Sequence, residues 1–100
     1  MEKIPHEVHH NQKNMHFEVA EEGEVAFLEY RMYKGDIALM HTQVPAALEG
    51  KGVASALAVY AFKYAEEHKL PVMVYCPYVA AFIKRHPEYQ AQVDKKYTGS

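Results

Sequence analysis

The chain has 100 residues, 49% hydrophobic and 24% charged, with a formal net charge of −2. This is the composition of a soluble globular protein, and the length predicts a single domain over residues 1–100. Near-neutral charge, without a basic stripe interleaved with aromatics, excludes a nucleic-acid binder, and no apolar run is long enough to span a bilayer, so no membrane partner is expected. The polar start MEKIPHEVHH does not read as a signal peptide. Cys76 is the sole cysteine, so an internal disulfide is impossible and a reducing cytoplasm is the expected compartment.

A weak strand is expected around Glu7–His10, followed by a turn over Asn11-Gln12-Lys13-Asn14. HFEVA alternates, with Phe17 and Val19 on one face, and EEGE then turns the chain. EVAFLEYRMY sets Val25, Phe27, Glu29 and Arg31 on one side and Ala26, Leu28, Tyr30 and Met32 on the other. After a turn at Lys34-Gly35, DIALMHTQV is apolar on both sides until its polar end, so it should be a central strand covered on both faces. A short loop, Pro45–Glu49, leads to a helix over Val53–His68. There Ala54, Leu57, Ala58, Ala61, Tyr64 and Ala65 recur at helical spacing, while Lys63, Glu66, Glu67 and Lys69 mark the solvated side. Leu70-Pro71 stops this helix, and Val72–Tyr75 reads as a short buried strand. Pro77 suits the first position of a second helix, which Pro87 ends. The last dozen residues are polar and read as half-ordered. Strand Ile37–Val44, helix and strand Val72–Tyr75 form a right-handed βαβ unit with parallel strands. Antiparallel strands running into that unit make a mixed-sheet α+β fold.

Two glycines around a lysine, in LEGKGVASAL, sit where the long helix begins. First-turn N–H groups lack intrahelical partners and the dipole is positive there, so a phosphate is a natural guest on bare glycine backbone. A simple turn explains the glycines equally well. The spacing excludes a P-loop, which needs four residues between its glycine and Gly-Lys-Ser/Thr. It excludes a dinucleotide fingerprint too, because Ser55 holds the third-glycine position and five residues separate Val44 from Gly50.

The stretch Val44–Ala54, VPAALEGKGVA, resembles the acetyl-CoA loop of the GNAT superfamily of N-acetyltransferases. Gly52 and Ala54 match the last two required positions of its signature, while Glu49 stands where the signature has Arg or Gln. A carboxylate beside a pyrophosphate is electrostatically unfavourable unless it points away, and Lys51 could offset it. The order of elements from Phe17 to His86 also follows that superfamily. The likeness is greatest to a very short single-domain branch, marked here by His41-Thr42 near the end of the central strand and Cys76-Pro77-Tyr78 before the last helix.

The resemblance implies an acetyl-CoA-dependent N-acetyltransferase with an amine acceptor and no metal. It implies that Val44, Glu49, Gly50, Lys51, Gly52, Val53, Ala54 and Ser55 bind the cofactor. Pyrophosphate would lie on the loop backbone and pantetheine between splayed parallel strands, with Val44 lending main-chain groups. Two features depart from the superfamily. Its tyrosine acid aligns with Ile83, which can donate nothing, and the turn at Asn11–Asn14 leaves no room for the two helices that usually help to enclose the acceptor. An open acceptor side suits a peptide or protein amine.

His41 and Cys76 are the catalytic candidates. His41 shares its strand face with Ile37 and Leu39, so it should be at least half buried, as a structural histidine or as a base near neutrality. Cys76 is either a small apolar core residue or a helix N-cap thiol whose thiolate the dipole favours, with a Cys–His pair geometrically possible. Tyr78 is a further possible proton donor. His6, His9 and His10 suggest metal only superficially, since no further ligand completes a familiar spacing. Two alternatives to the enzyme remain: a non-catalytic CoA or acyl-CoA binding module acting through a partner, and a structural domain whose glycines only turn the chain.

Overall fold

Period-two patterning through the first half of the chain produces four antiparallel strands: β1 (His9–Asn11), β2 (His16–Glu21), β3 (Glu24–Tyr33) and β4 (Asp36–Gln43). The computed structural model describes residues 6–95. Helix α1 (Val53–Glu67) then crosses over to β5 (Val72–Val74), which pairs parallel to β4 and completes a five-stranded sheet in the order β1-β2-β3-β4-β5. Helix α2 (Pro77–Arg85) follows, with Pro77 at its first position. The fold is therefore the expected mixed-sheet α+β arrangement. β4 is interior as anticipated, and Ile37, Ala38 and Leu39 are buried.

One sheet face carries Phe17, Val19, Ala26, Leu28 and Tyr30, all buried. Upon it α1 lays Val53, Ala56, Leu57, Ala58, Ala61, Phe62 and Ala65, with Tyr60 and Tyr64 packing their rings against Phe17. The opposite face is wetter. It carries His16, Phe27, Glu29 and His41, and His16 stacks on Phe27 with centroids 4.1 Å apart.

Several boundaries differ from the sequence reading by a residue or two: the first strand lies at His9–Asn11 rather than around Glu7–His10, β4 ends at Gln43 rather than Val44, α1 ends at Glu67 rather than His68, and β5 ends at Val74 rather than Tyr75. Met32, on the inward-reading side of β3, is 49% exposed. The larger difference is at the polar C-terminal end. A 3-10 turn over Pro87–Gln92 places Tyr89 against Phe62 and Phe82, Gln92 Nε2 donates to the Phe62 carbonyl at 2.8 Å, and Val93 bridges Val72. Two apolar anchors suffice to order a polar segment when buried rings await them. The rest of that expected half-ordered stretch, residues 96–100, lies outside the described residues.

Candidate functional site

The parallel ladder between β4 and β5 is short. It pairs Ile37 with Val72, Ala38 with Met73 and Leu39 with Val74, and then stops. The N–H groups of Tyr75 and Cys76 both donate to the Leu39 carbonyl, at 2.9 and 3.0 Å, which turns the chain away from β4. The two strands thus fork beyond Leu39.

On its other edge β4 carries a bulge. Leu39 opposes Tyr30 and His41 opposes Glu29, leaving Met40 as the extra residue. One inserted residue reverses the in-out alternation, so Thr42 rather than His41 joins the buried face, opposite Leu28. This corrects the expected half-burial of His41. Its side chain is exposed, edge-on to Phe27 at 6.1 Å.

Cys76 is the N-cap of α2, as the Pro77 signal indicated, and is 2% exposed. Its Sγ lies 3.1 Å from Thr42 Oγ1. The bulge therefore separates the two catalytic candidates, giving Cys76 to Thr42 and leaving His41 on the open face. No Cys–His pair forms.

Between the fork and α1, Pro45 opens a 3-10 turn, Ala46–Leu48, whose Leu48 is buried beneath the loop. Gly52, at φ +81°, is the N-cap of α1 and offers no side chain to the first-turn N–H groups, and that turn holds no acidic residue. A Cβ built on Gly50 or Gly52 would meet nothing within 4 Å. Positive φ favours glycine at both positions, and the space beside their backbone is open.

That space is a cavity of about 360 Å³, within the size range of small-molecule sites. Val44, Glu49, Gly50, Gly52, Val53, Ala54 and Ser55 all border it, together with Leu48, Tyr78 and Arg85. Seven of the eight residues expected at the cofactor site are thus brought together. Lys51 is not among them. Its ammonium pairs with Glu22 in the β2–β3 turn, so it does not offset Glu49.

The loop is also tied down from the N-terminal segment. His6 places Nδ1 2.5 Å from Glu21 Oε2 and Nε2 2.6 Å from the Lys51 carbonyl oxygen. Both partners only accept, so only an imidazolium satisfies both. The Glu21 carboxylate foremost, then the carbonyl, raise the His6 pKa above its ordinary value.

Tyr78 OH lies 2.8 Å from Ser55 Oγ, linking α2 to the first turn of α1. Leu48 and Arg85 were missed as lining residues. Leu48 was legible as an apolar residue inside a loop, whereas Arg85, two turns into the exposed face of α2, carried no local signal. Among the other histidines, His9 is exposed and His10 hydrogen-bonds Tyr30 OH at 2.6 Å. His6 and His10 turn to different partners.

An antiparallel meander, a βαβ unit with a forked parallel pair, and a glycine turn opening the crossover helix thus make up one mixed-sheet domain. The profile of the GCN5-related N-acetyl-transferase family matches residues 16–93. Protein NATD1 of Xenopus tropicalis is 33% identical over 84 residues, covering 80% of this chain and 76% of its own. Protein NATD1 of Bos taurus is 34% identical over 87 residues (83% and 76%), and that of Danio rerio 32% over 92 (86% and 83%). The chain belongs to the GCN5-related N-acetyltransferase family, whose members in general use acetyl-CoA.

Proposed function

We propose that the protein is an N-acetyltransferase that moves the acetyl group of acetyl-CoA to an amine, with residues 1–100 acting as one domain in the cytoplasm. The observation that carries this reading is the loop cavity, where open glycine backbone and uncapped helix N–H groups border the same space as Val44 at the fork. These donors fit a diphosphate, because they are numerous, positively polarised and unobstructed. Bound acetyl-CoA supplies an activated acetyl thioester that an amine can attack, releasing the CoA thiol.

Within this reading the Gly50–Ser55 backbone holds the diphosphate and Val44 guides the pantetheine arm into the fork. His41, exposed on the open sheet face, takes the proton of an amine arriving from that side. Cys76 and Thr42, hydrogen-bonded at the fork, hold the proton that the departing thiolate needs. An exposed His41 beside half-exposed Glu29 leaves room for an extended substrate, so a peptide or protein amine is the acceptor class.

The second reading, a CoA-binding module without turnover, is favoured by Ile83, which occupies the superfamily's tyrosine position and is 7% exposed. Release of CoA thiol from acetyl-CoA in the presence of a peptide library separates the two. Peptide-dependent release supports the enzyme; tight acetyl-CoA binding without release supports the module.

A further inference from the structure

Of the residues that border the loop cavity, only Glu49 and Arg85 carry charge. Glu49 stands where the superfamily signature has Arg or Gln, and the neighbouring Lys51 is engaged by Glu22 on the far side of the loop. The cation available to an anionic guest therefore comes from α2, a different element altogether.

Arg85 is directed toward Tyr78. Its guanidinium lies over the Tyr78 ring, 5.9 Å from the centroid, and Nη2 donates to Tyr78 OH at 3.5 Å. Tyr78 OH is in turn 2.8 Å from Ser55 Oγ in the first turn of α1. This relay of contacts holds the guanidinium beside the cavity that the α1 amides also border. Among the described residues no carboxylate pairs with Arg85, so its remaining N–H donors are free for a ligand. A guanidinium presents a planar fork suited to two phosphate oxygens at once.

We propose that Arg85 is the residue that recognises the diphosphate of CoA, replacing from α2 the charge that Glu49 removes from the loop. This deepens the acetyl-CoA reading above and rests on it. Tyr78 and Ser55 act as positioning residues for that guanidinium.

The test is calorimetric titration of wild type, Arg85→Gln and Arg85→Lys with CoA and with dephospho-CoA, which lacks the 3′-phosphate but keeps the diphosphate. Arg85 is exposed, so the variants should fold, and circular dichroism checks that they do. Expected is a loss of about tenfold or more for Arg85→Gln, equal for both ligands, with Arg85→Lys in between. Unchanged CoA affinity in Arg85→Gln overturns the inference. A loss seen with CoA but absent with dephospho-CoA overturns it as well, since Arg85 would then read the 3′-phosphate. A wild type that binds neither ligand defeats the acetyl-CoA reading itself and this inference with it, an outcome distinct from normal wild-type binding that Arg85→Gln leaves unaltered.

Discussion

Thr42 Oγ1 stands 3.1 Å from Cys76 Sγ, a bond made across the fork after the β4–β5 ladder has ended at Leu39 and Val74. It joins the two arms of the fork at the point where the pantetheine arm is proposed to enter. It also places the only thiol of the chain next to a hydroxyl rather than an imidazole.

Replacing Cys76 by Ala removes the thiol proposed as proton source at the fork, whereas Cys76→Ser preserves a hydroxyl partner for Thr42. Turnover should fall strongly in Cys76→Ala and be partly retained in Cys76→Ser, with CoA affinity unchanged in both. Loss of the small buried side chain should cost roughly 1 kcal/mol in denaturant unfolding. Full activity in Cys76→Ala, with only that stability loss, assigns the thiol to packing alone.

His41→Gln should leave stability within about 0.5 kcal/mol of wild type, because the side chain is exposed and contacts only the edge of Phe27. CoA affinity should be unchanged, while most of the turnover should be lost. A variant with the wild-type rate removes His41 from the mechanism.

Two histidines near the N-terminal edge should respond to pH with opposite signs. His6 is held as an imidazolium by Glu21 and the Lys51 carbonyl, so its folded pKa is raised. Its contribution is present in full below the unfolded value of about 6.5 and is lost as pH rises through the folded value. His10 is lowered, first by burial and then by His9 and His68, while it bonds Tyr30 OH and packs on Phe17 and Tyr64. Its contribution is present above about 6.5 and lost as pH falls toward the folded value. Unfolding curves of wild type, His6→Ala and His10→Phe from pH 5 to 8 check this. His6→Ala should remove a decline on the alkaline side and His10→Phe one on the acid side; the same pH dependence in all three proteins refutes both assignments.

Much of this site could be read along the chain, and the remainder depends on contacts that no local pattern encodes. The turn at Lys34-Gly35, the alternation of β3 and the Pro77 signal are local, and β3 ends and α2 begins where those residues indicate. The glycine loop was legible because five flanking positions gather around it on one segment. The bulge at Met40 was not, since DIALMH contains neither glycine nor proline and pairing with β3 alone decides which residue is extra. That single insertion moved His41 to the opposite face. The places of Lys51 and Arg85 were not legible for a similar reason: the first meets Glu22 and the second borders the cavity only after β2, β3 and α2 have packed.

Gly52→Val should weaken CoA far more than Lys51→Ala. At φ +81° a side chain costs about 1–2 kcal/mol in strain, and a β-branched one also projects into the space a phosphate needs. Lys51 is directed to Glu22, so its removal should alter affinity less than about threefold. Calorimetry on the folded variants measures both, and equal affinities for wild type and Gly52→Val count against the loop.

The most direct test of acetyl-CoA binding at the loop is titration of isotope-labelled protein with acetyl-CoA, following every backbone amide by NMR. Expected are saturable shifts largest at Gly50 and Gly52–Ser55, with a second group at Tyr78, Arg85 and Val44, and little change at Lys63, Glu66 and Glu67 on the solvated side of α1. No shifts at millimolar acetyl-CoA, or shifts confined to the open sheet face around His16 and Phe27, would contradict it.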